Sequence, residues 1–414
     1  MVTTTNSFPR LKFGIIVCTV LLGILTPSIS PRAAFSQTPA PNPLTSDPTD
    51  PLLPPIPETN QEPETEPIYS LTPRERRKLA EELDLLNSQA QGEYATGNVD
   101  EAFATWYREI RLRRVLGKVD EVQTLGRVGN IAWQDTRKFD AQLITNRLKT
   151  IEAESVALGE VDLEFLLALG QSYQQLRLPE QAANIYEQVL FLAQQAEDTE
   201  AQIAVLNQLG NLYLSWFNYP QAAQVYEQLL DLAREEFDQD SQTNYLQQLA
   251  FIYDQTEQNR EAVTVKEELI ERYFQKQQLI VLPKLQISLA DNYSFLGEPE
   301  PASQTYQQAF NLAWSLQQLN YAGEALEKLA QLYQEYNEPV YAVQIYQELL
   351  KLEQQSYNVY GQMTTYDQIG EIYLDQQDYS QALAAFRQGL DLANSLGYQQ
   401  AYFQNKIDTL SEEL

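Results

Sequence analysis

The sequence predicts an all-α protein, an α-solenoid of about eight helical hairpins followed by a C-terminal capping helix. The main observation is a strict 40-residue period, seen in the alanines Ala182, Ala222 and Ala262. Within each unit, apolar residues recur at helical spacing on both sides of a short turn, and no stretch reads as a convincing strand. One hairpin cannot bury its apolar face alone, so the repetition favours a stack whose neighbours share a core.

The first 36 residues are predicted to be a signal peptide. Arg10 and Lys12 form a short basic region, Phe13–Leu25 is apolar, and small residues precede a cleavage point before Gln37. The apolar run is shorter than the roughly 20 residues of a membrane span. An uncleaved signal that anchors the chain is the alternative. Either way we expect an exported protein, periplasmic or otherwise extracytoplasmic.

Residues 37–72 are predicted to be a proline-rich, disordered linker. Half of the chain's 20 prolines lie there. A segment of this composition cannot pack a core and is typically extended. We therefore expect it to serve as a spacer between the signal and the repeats.

Eight repeats are predicted over residues 73–395, and residues 396–414 are predicted to form the capping helix. A small residue such as Gly210 lets the first helix approach the second, where Ala222 meets it. The second repeat is degenerate, because Gln142 stands at the alanine position. Aromatic residues recur in both helices and are predicted to fill the core: Trp106, Trp133, Tyr173, Tyr186, Tyr213, Tyr226, Tyr253, Tyr293, Tyr306, Tyr333, Tyr346, Tyr373 and Phe386.

These residues resemble the tetratricopeptide repeat (TPR) family over about residues 83–395. The resemblance implies helical hairpins whose first helices line a concave face that binds a protein or peptide. The period is 40 rather than the roughly 34 residues usual in the family, so each helix is expected to be longer. The signal, proline-rich spacer and acidic array are also similar to exported cyanobacterial TPR proteins, some of which act in photosystem II assembly. That similarity implies a role as an assembly factor.

We do not predict an enzyme. The chain has no histidine, and its one cysteine, Cys18, lies in the predicted signal, so the mature chain lacks the usual nucleophile–base pairs. Carboxylate pairs are frequent, but 57 acidic residues produce them by chance. A net charge of −29 disfavours nucleic acid, which requires clustered lysine and arginine. No cofactor is required by this interpretation.

The predicted peptide-binding surface follows from the family's concave-face positions in repeats 4 to 6. Its amides can bond a peptide backbone, and its apolar side chains can accept alternate peptide residues. Only Arg127 and Lys284 are basic at such positions, which argues against a clamp for a peptide's terminal carboxylate. The residues are Asn207, Asn211, Leu214, Phe251, Asp254, Ile287, Asp291 and Phe295.

The same positions in repeats 7 and 8 form a predicted acidic wall. Its carboxylates share one face of each helix, and oxygen ligands suit hard cations such as Mn²⁺ or Ca²⁺. A carrier of divalent cations is therefore an alternative function, while a solubilising surface or a docking face for a basic peptide needs no metal. The residues are Glu324, Glu327, Glu335, Asp367, Glu371 and Asp375.

A basic patch at Tyr107–Lys118 contrasts with the acidic remainder of the chain. It could contact an anionic membrane or an acidic partner, although ordinary helix-surface charge explains it too. With an uncleaved signal, this patch would suit a third function, that of a tethered envelope-organising protein.

Overall fold

The computed structural model describes Leu52 and residues 71–413, and these residues are almost entirely helical. The predicted signal and most of the predicted linker lie outside the described residues. The first helices of the hairpins are α1 (Pro73–Ala95), α3 (Lys118–Gln134), α5 (Leu163–Gln175), α7 (Thr199–Ser215), α9 (Gln239–Gln255), α11 (Leu282–Phe295), α13 (Leu319–Glu335) and α15 (Val359–Asp375). The second helices are α2 (Val99–Arg113), α4 (Lys138–Leu158), α6 (Pro179–Gln195), α8 (Tyr219–Glu235), α10 (Asn259–Gln275), α12 (Pro299–Ser315), α14 (Pro339–Gln355) and α16 (Tyr379–Leu396).

The predicted all-α solenoid is confirmed for these residues, which contain no strand. From α5 onward each helix packs against the next along the chain, but on its N-terminal side α5 packs mainly against α3 and barely against α4, so the hairpins stack in order with a different contact at the second repeat. A final helix, α17 (Gln400–Glu413), packs against α16, where the ring of Phe403 lies over Gly389. The first helix begins with a capping box, in which Thr72 and Glu75 each bond the other's backbone N–H.

The 40-residue period arises from helices of 17 residues joined by turns of three, as in α7, α8, α9 and α10. The middle residue of the turn has a positive φ, which is 57° at both Phe217 and Phe237. This left-handed residue lets the N–H of Asn218 donate to the carbonyl of Tyr213 at 2.8 Å, closing the helix end. The turns before and after each of these four helices share this geometry, and each helix has 17 residues, so the two halves of these repeats have equal length.

Glycine at the small-residue position permits the close helix approach that the sequence indicates. A Cβ on Gly210 would lie 2.9 Å from the ring of Tyr226, and one on Gly370 would lie 2.5 Å from the ring of Phe386. The second-helix aromatics are accordingly core residues, with Tyr186 and Phe386 at most 1% exposed. Trp133 differs from the prediction, because 46% of its surface is exposed.

Leu52 is the one residue before position 71 that the structure describes. It is fully buried in the core of the first repeats. Its carbonyl accepts a hydrogen bond from Arg114 at 2.6 Å, and Arg114 also pairs with the buried Glu121. This point of the proline-rich segment is therefore attached to the start of the array.

Candidate partner-binding surface

Side-chain hydrogen bonds join the first helices of neighbouring hairpins. Asn207 on α7 donates to the Tyr245 hydroxyl on α9 at 3.2 Å, and Lys328 on α13 lies 3.2 Å from a carboxylate oxygen of Asp291 on α11. These bonds place the first helices side by side. We call the solvent-facing side chains of α7, α9, α11, α13 and α15 the first-helix row.

The apolar members of the predicted peptide surface divide into exposed and buried residues. Phe251 and Phe295 are 49% and 78% exposed, and Leu214 is half-buried. Ile287 is only 3% exposed, packed among core residues of α11, α12 and α13, so its predicted presentation to a peptide is wrong. At the boundary between surface and core, an apolar side chain turns inward, whereas Glu327, at the same repeat position, remains exposed.

The polar members of that surface are engaged within the array. The Tyr226 hydroxyl donates to Asn211 at 3.3 Å. The Tyr306 hydroxyl donates to Asp291 at 2.6 Å, and burial, with this carboxylate second, raises the pKa of Tyr306. Because Lys328 also contacts Asp291, that carboxylate already has two partners.

Asp254, another predicted peptide contact, neutralises a buried lysine. Lys266 on α10 is 1% exposed, and its Nζ lies 2.6 Å from oxygens of Asp254, Ser288 and Asn292. Burial lowers the pKa of Lys266, while Asp254 opposes that shift. Lys266 stands where Tyr226 stands one repeat earlier. A charged network thus replaces an aromatic side chain at this junction between hairpins.

Three aromatic rings form a patch that the sequence did not predict, in which Phe217 and Phe251 are exposed and Tyr219 is half-buried. Phe217 and Tyr219 have ring centroids 6.3 Å apart, and Tyr219 and Phe251 have centroids 6.2 Å apart. Phe217 lies in the turn before α8 and is 76% exposed, and Tyr219 is the first residue of that helix. Both fall outside the family's concave-face positions, so only Phe251 could be found from the resemblance.

The acidic wall is divided between exposed and contacted carboxylates. Its members Glu324, Glu327, Glu335 and Asp375 are exposed. Asp367 and Glu371 instead contact α17, the first accepting a hydrogen bond from Tyr402 at 3.0 Å and the second forming an ion pair with Lys406. Among the described residues, no three acidic side chains come together as a group that could hold a metal. The cation-carrier hypothesis stays a prediction.

A pocket of about 410 Å³ opens between α13 and α14. Glu324 and Glu327 line it, together with Glu353, which is only 5% exposed. Burial raises the pKa of Glu353 to about 7. The family's concave-face positions do not include Glu353, so the resemblance could not reveal it.

Carboxylates neutralise much of the predicted basic patch. Arg113 contacts Glu109 and Asp84, and Lys118 contacts Glu160 at 2.6 Å. Within the described residues, no helix combines the length and apolar character required to cross a bilayer. The patch is thus largely part of the array's internal ion pairing, and membrane proximity stays a prediction.

Comparison with known families gives two matches, both to the tetratricopeptide repeat, over residues 162–235 and 364–396. No curated protein matches the sequence significantly. Among solved structures, the chain is similar to BtubC (BKLC) from P. vanneervenii, with 17% identity, 53% of this chain and 92% of that chain covered, and a TM-score of 0.37.

Two further solved structures are similar to the chain. A putative kinesin light chain with TPR-like repeats from Podosopora anserina has 18% identity, covers 47% of this chain and 96% of its own, and gives a TM-score of 0.35. The signal-transduction ATPase PH0952 from Pyrococcus horikoshii, which has a tetratricopeptide repeat sensor, has 14% identity over 83% of this chain and 56% of its own, with a TM-score of 0.39.

Proposed function

We propose that this chain, in which two segments match the tetratricopeptide repeat, is a non-catalytic scaffold that binds an extended segment of a partner protein along its first-helix row and the adjoining turn before α8. Proteins of this family are generally scaffolds for protein–protein interaction. The observation that carries the proposal is the aromatic patch of Phe217, Tyr219 and Phe251, in which the two phenylalanine rings are exposed. Grouped aromatic rings on a soluble surface are typical of interaction sites.

The partner segment would place an apolar side chain on this patch. Each Å² of apolar surface removed from water contributes about 25 cal/mol, and aromatic residues dominate the energetics of many interfaces. Asn207 and Asn211 already have hydrogen-bond partners within the array, so we assign the binding energy to the rings rather than to the amides.

Replacement of Phe251 by alanine tests the proposal. Phe274, on the second helix α10, offers a matched control because it is 61% exposed and lies outside the first-helix row. A partner captured from an envelope fraction is purified, and its Kd is measured by calorimetry. We expect Phe251→Ala to weaken binding at least about tenfold, which corresponds to about 1.4 kcal/mol, and Phe274→Ala to leave it unchanged. Equal affinity for both variants, with folding intact, would overturn the assignment.

We propose further that the protein acts outside the cytoplasm, as an assembly factor for its partner. The composition of residues 1–36 supports export, and the proline-rich stretch supports a tether. Cell fractionation and N-terminal sequencing test this directly. A mature chain that begins at Gln37 in an exported fraction is expected, whereas a cytoplasmic chain that begins at Met1 would contradict export.

A further inference from the structure

The pocket between α13 and α14 contains a carboxylate at a position where four other repeats bury an alanine and one buries Tyr273. Glu353 is 5% exposed, and its equivalents Ala193, Ala233, Ala313 and Ala393 all belong to the core. A carboxylate in place of a core methyl group loses hydration and needs compensation from its surroundings.

The local sequence provides space and one hydrogen bond for this carboxylate. The Thr365 hydroxyl donates to Oε2 at 3.0 Å. Oε1 lies directly over Gly361, where any side chain would collide with it. Among the ion pairs of the described residues none involves Glu353, and its hydrogen bond with Thr365 is the one contact that opposes the rise in pKa caused by burial. The site therefore holds a buried carboxyl group that forms no ion pair with the residues that the structure describes.

The pocket around Glu353 combines apolar walls with acidic groups, and a long basic side chain requires both. Leu319, Leu349 and Leu352 supply apolar walls, and Glu324 and Glu327 stand with Glu353 as acidic lining. Gly323 leaves space beside the leucines, since even a Cβ there would remain 3.6 Å from Leu352. Lysine and arginine bury an apolar stem and present a charged end, which matches this arrangement.

We propose that this pocket binds the lysine or arginine side chain of a partner segment, with Glu353 at its acidic end. The three carboxylates line the pocket without converging as metal ligands, which favours a larger organic cation over a bare ion. The inference deepens the proposed function, because it assigns a basic residue to the partner. It concerns a different repeat from the aromatic patch, so the two sites can fail independently.

The test uses small probes and needs no partner protein. The full chain is titrated with N-acetyl-lysine amide and N-acetyl-arginine amide by calorimetry at about pH 8, where Glu353 is ionised, with matched NaCl and Mn²⁺ titrations. We expect saturable binding of at least one organic cation. Preference for one probe identifies the residue that the partner carries, and binding should weaken at about pH 6, where Glu353 gains a proton.

Three variants separate the pocket from general acidity. Glu353→Gln keeps the shape and removes the charge, and Gly323→Met fills the space while leaving every carboxylate in place. Both should reduce probe affinity at least about tenfold. Glu348→Gln on the exposed side of α14 removes the same charge and should change nothing. Binding that survives Glu353→Gln and Gly323→Met, or that NaCl abolishes equally in all variants, would overturn the pocket, as would the absence of saturable binding to the wild-type chain.

Discussion

Replacement of Lys266 by methionine should destabilise the middle of the array. Lys266 is 1% exposed and donates to Asp254, Ser288 and Asn292, each at 2.6 Å. Methionine matches the apolar stem of the lysine side chain, but it leaves Asp254 without a cation and leaves the oxygens of Ser288 and Asn292 without the lysine donor. Breaking a buried ion pair from one side costs about 3–5 kcal/mol. Since the Asp254 side chain is 32% exposed and can regain some hydration, we expect the lower end, about 3 kcal/mol.

The assay is urea unfolding, combined with hydrogen exchange to locate the loss in α9, α10 and α11. A compensating variant carries Lys266→Tyr and Asp254→Gln, which reproduces the Tyr346–Gln334 hydrogen bond of 3.0 Å found two repeats later. It should restore stability to within about 1 kcal/mol of the wild type, because a satisfied neutral pair can replace a buried ionic one. If Lys266→Met costs less than about 1 kcal/mol, the reasoning about Asp254 is refuted.

Three further predictions concern the last repeats. Because burial raises the pKa of Glu353 to about 7, the folded state retains a proton that the unfolded state releases near pH 4.5. The free energy of unfolding should therefore fall by on the order of 1–2 kcal/mol as the pH rises from about 4.5 to about 7, after allowance for solvent screening. Glu353→Gln should flatten this pH dependence in urea titrations, and a wild-type stability that rises with pH would contradict the argument. Tyr357 has a φ of 55° and is 88% exposed, so Tyr357→Gly should raise the unfolding free energy by about 1 kcal/mol, and a loss would contradict the strain. Mn²⁺, Ca²⁺ and Mg²⁺ should raise the melting temperature equally and no more than NaCl of the same ionic strength, whereas a rise selective for Mn²⁺ would support the cation carrier.

The fold could be predicted because the contacts that define it repeat within and between adjacent hairpins. The spacing that brings Tyr226 over Gly210 is visible in the sequence and needs no long-range information. The geometry of the turns was harder to predict from the sequence than the helix packing. Most turns place an ordinary residue, such as Phe237, in a conformation that favours glycine, so no glycine signal marks them.

The candidate sites were harder to predict, because a side chain's availability depends on residues one repeat away. From the sequence, Asp254 is expected to be available to a partner, but in the structure it accepts a hydrogen bond from Lys266. Glu371 looks like part of an open acidic wall, but Lys406 from the final helix contacts it. A signal did exist for Lys266, since a lysine at a core aromatic position requires a buried acceptor nearby.

A regular set of tyrosine–glutamate bonds explains how so acidic an array holds together. Tyr213 donates to Glu187 at 3.2 Å, and the pairs Tyr253–Glu227 and Tyr293–Glu267 repeat that 26-residue separation at 2.5 and 2.6 Å. Each pair joins the first helix of one hairpin to the second helix of the hairpin before it.

A hydroxyl donor satisfies a glutamate without adding a positive charge. Burial, with Glu187 next, raises the pKa of Tyr213 to about 12, so this donor keeps its proton at neutral pH. The whole chain carries 57 acidic and only 28 basic residues, and the array accommodates this excess with tyrosine where another protein would use arginine. The consequence for function is an excess of acidic groups at places such as the Glu353 pocket, where no lysine or arginine is among the described lining residues and a partner's basic side chain would supply the positive charge.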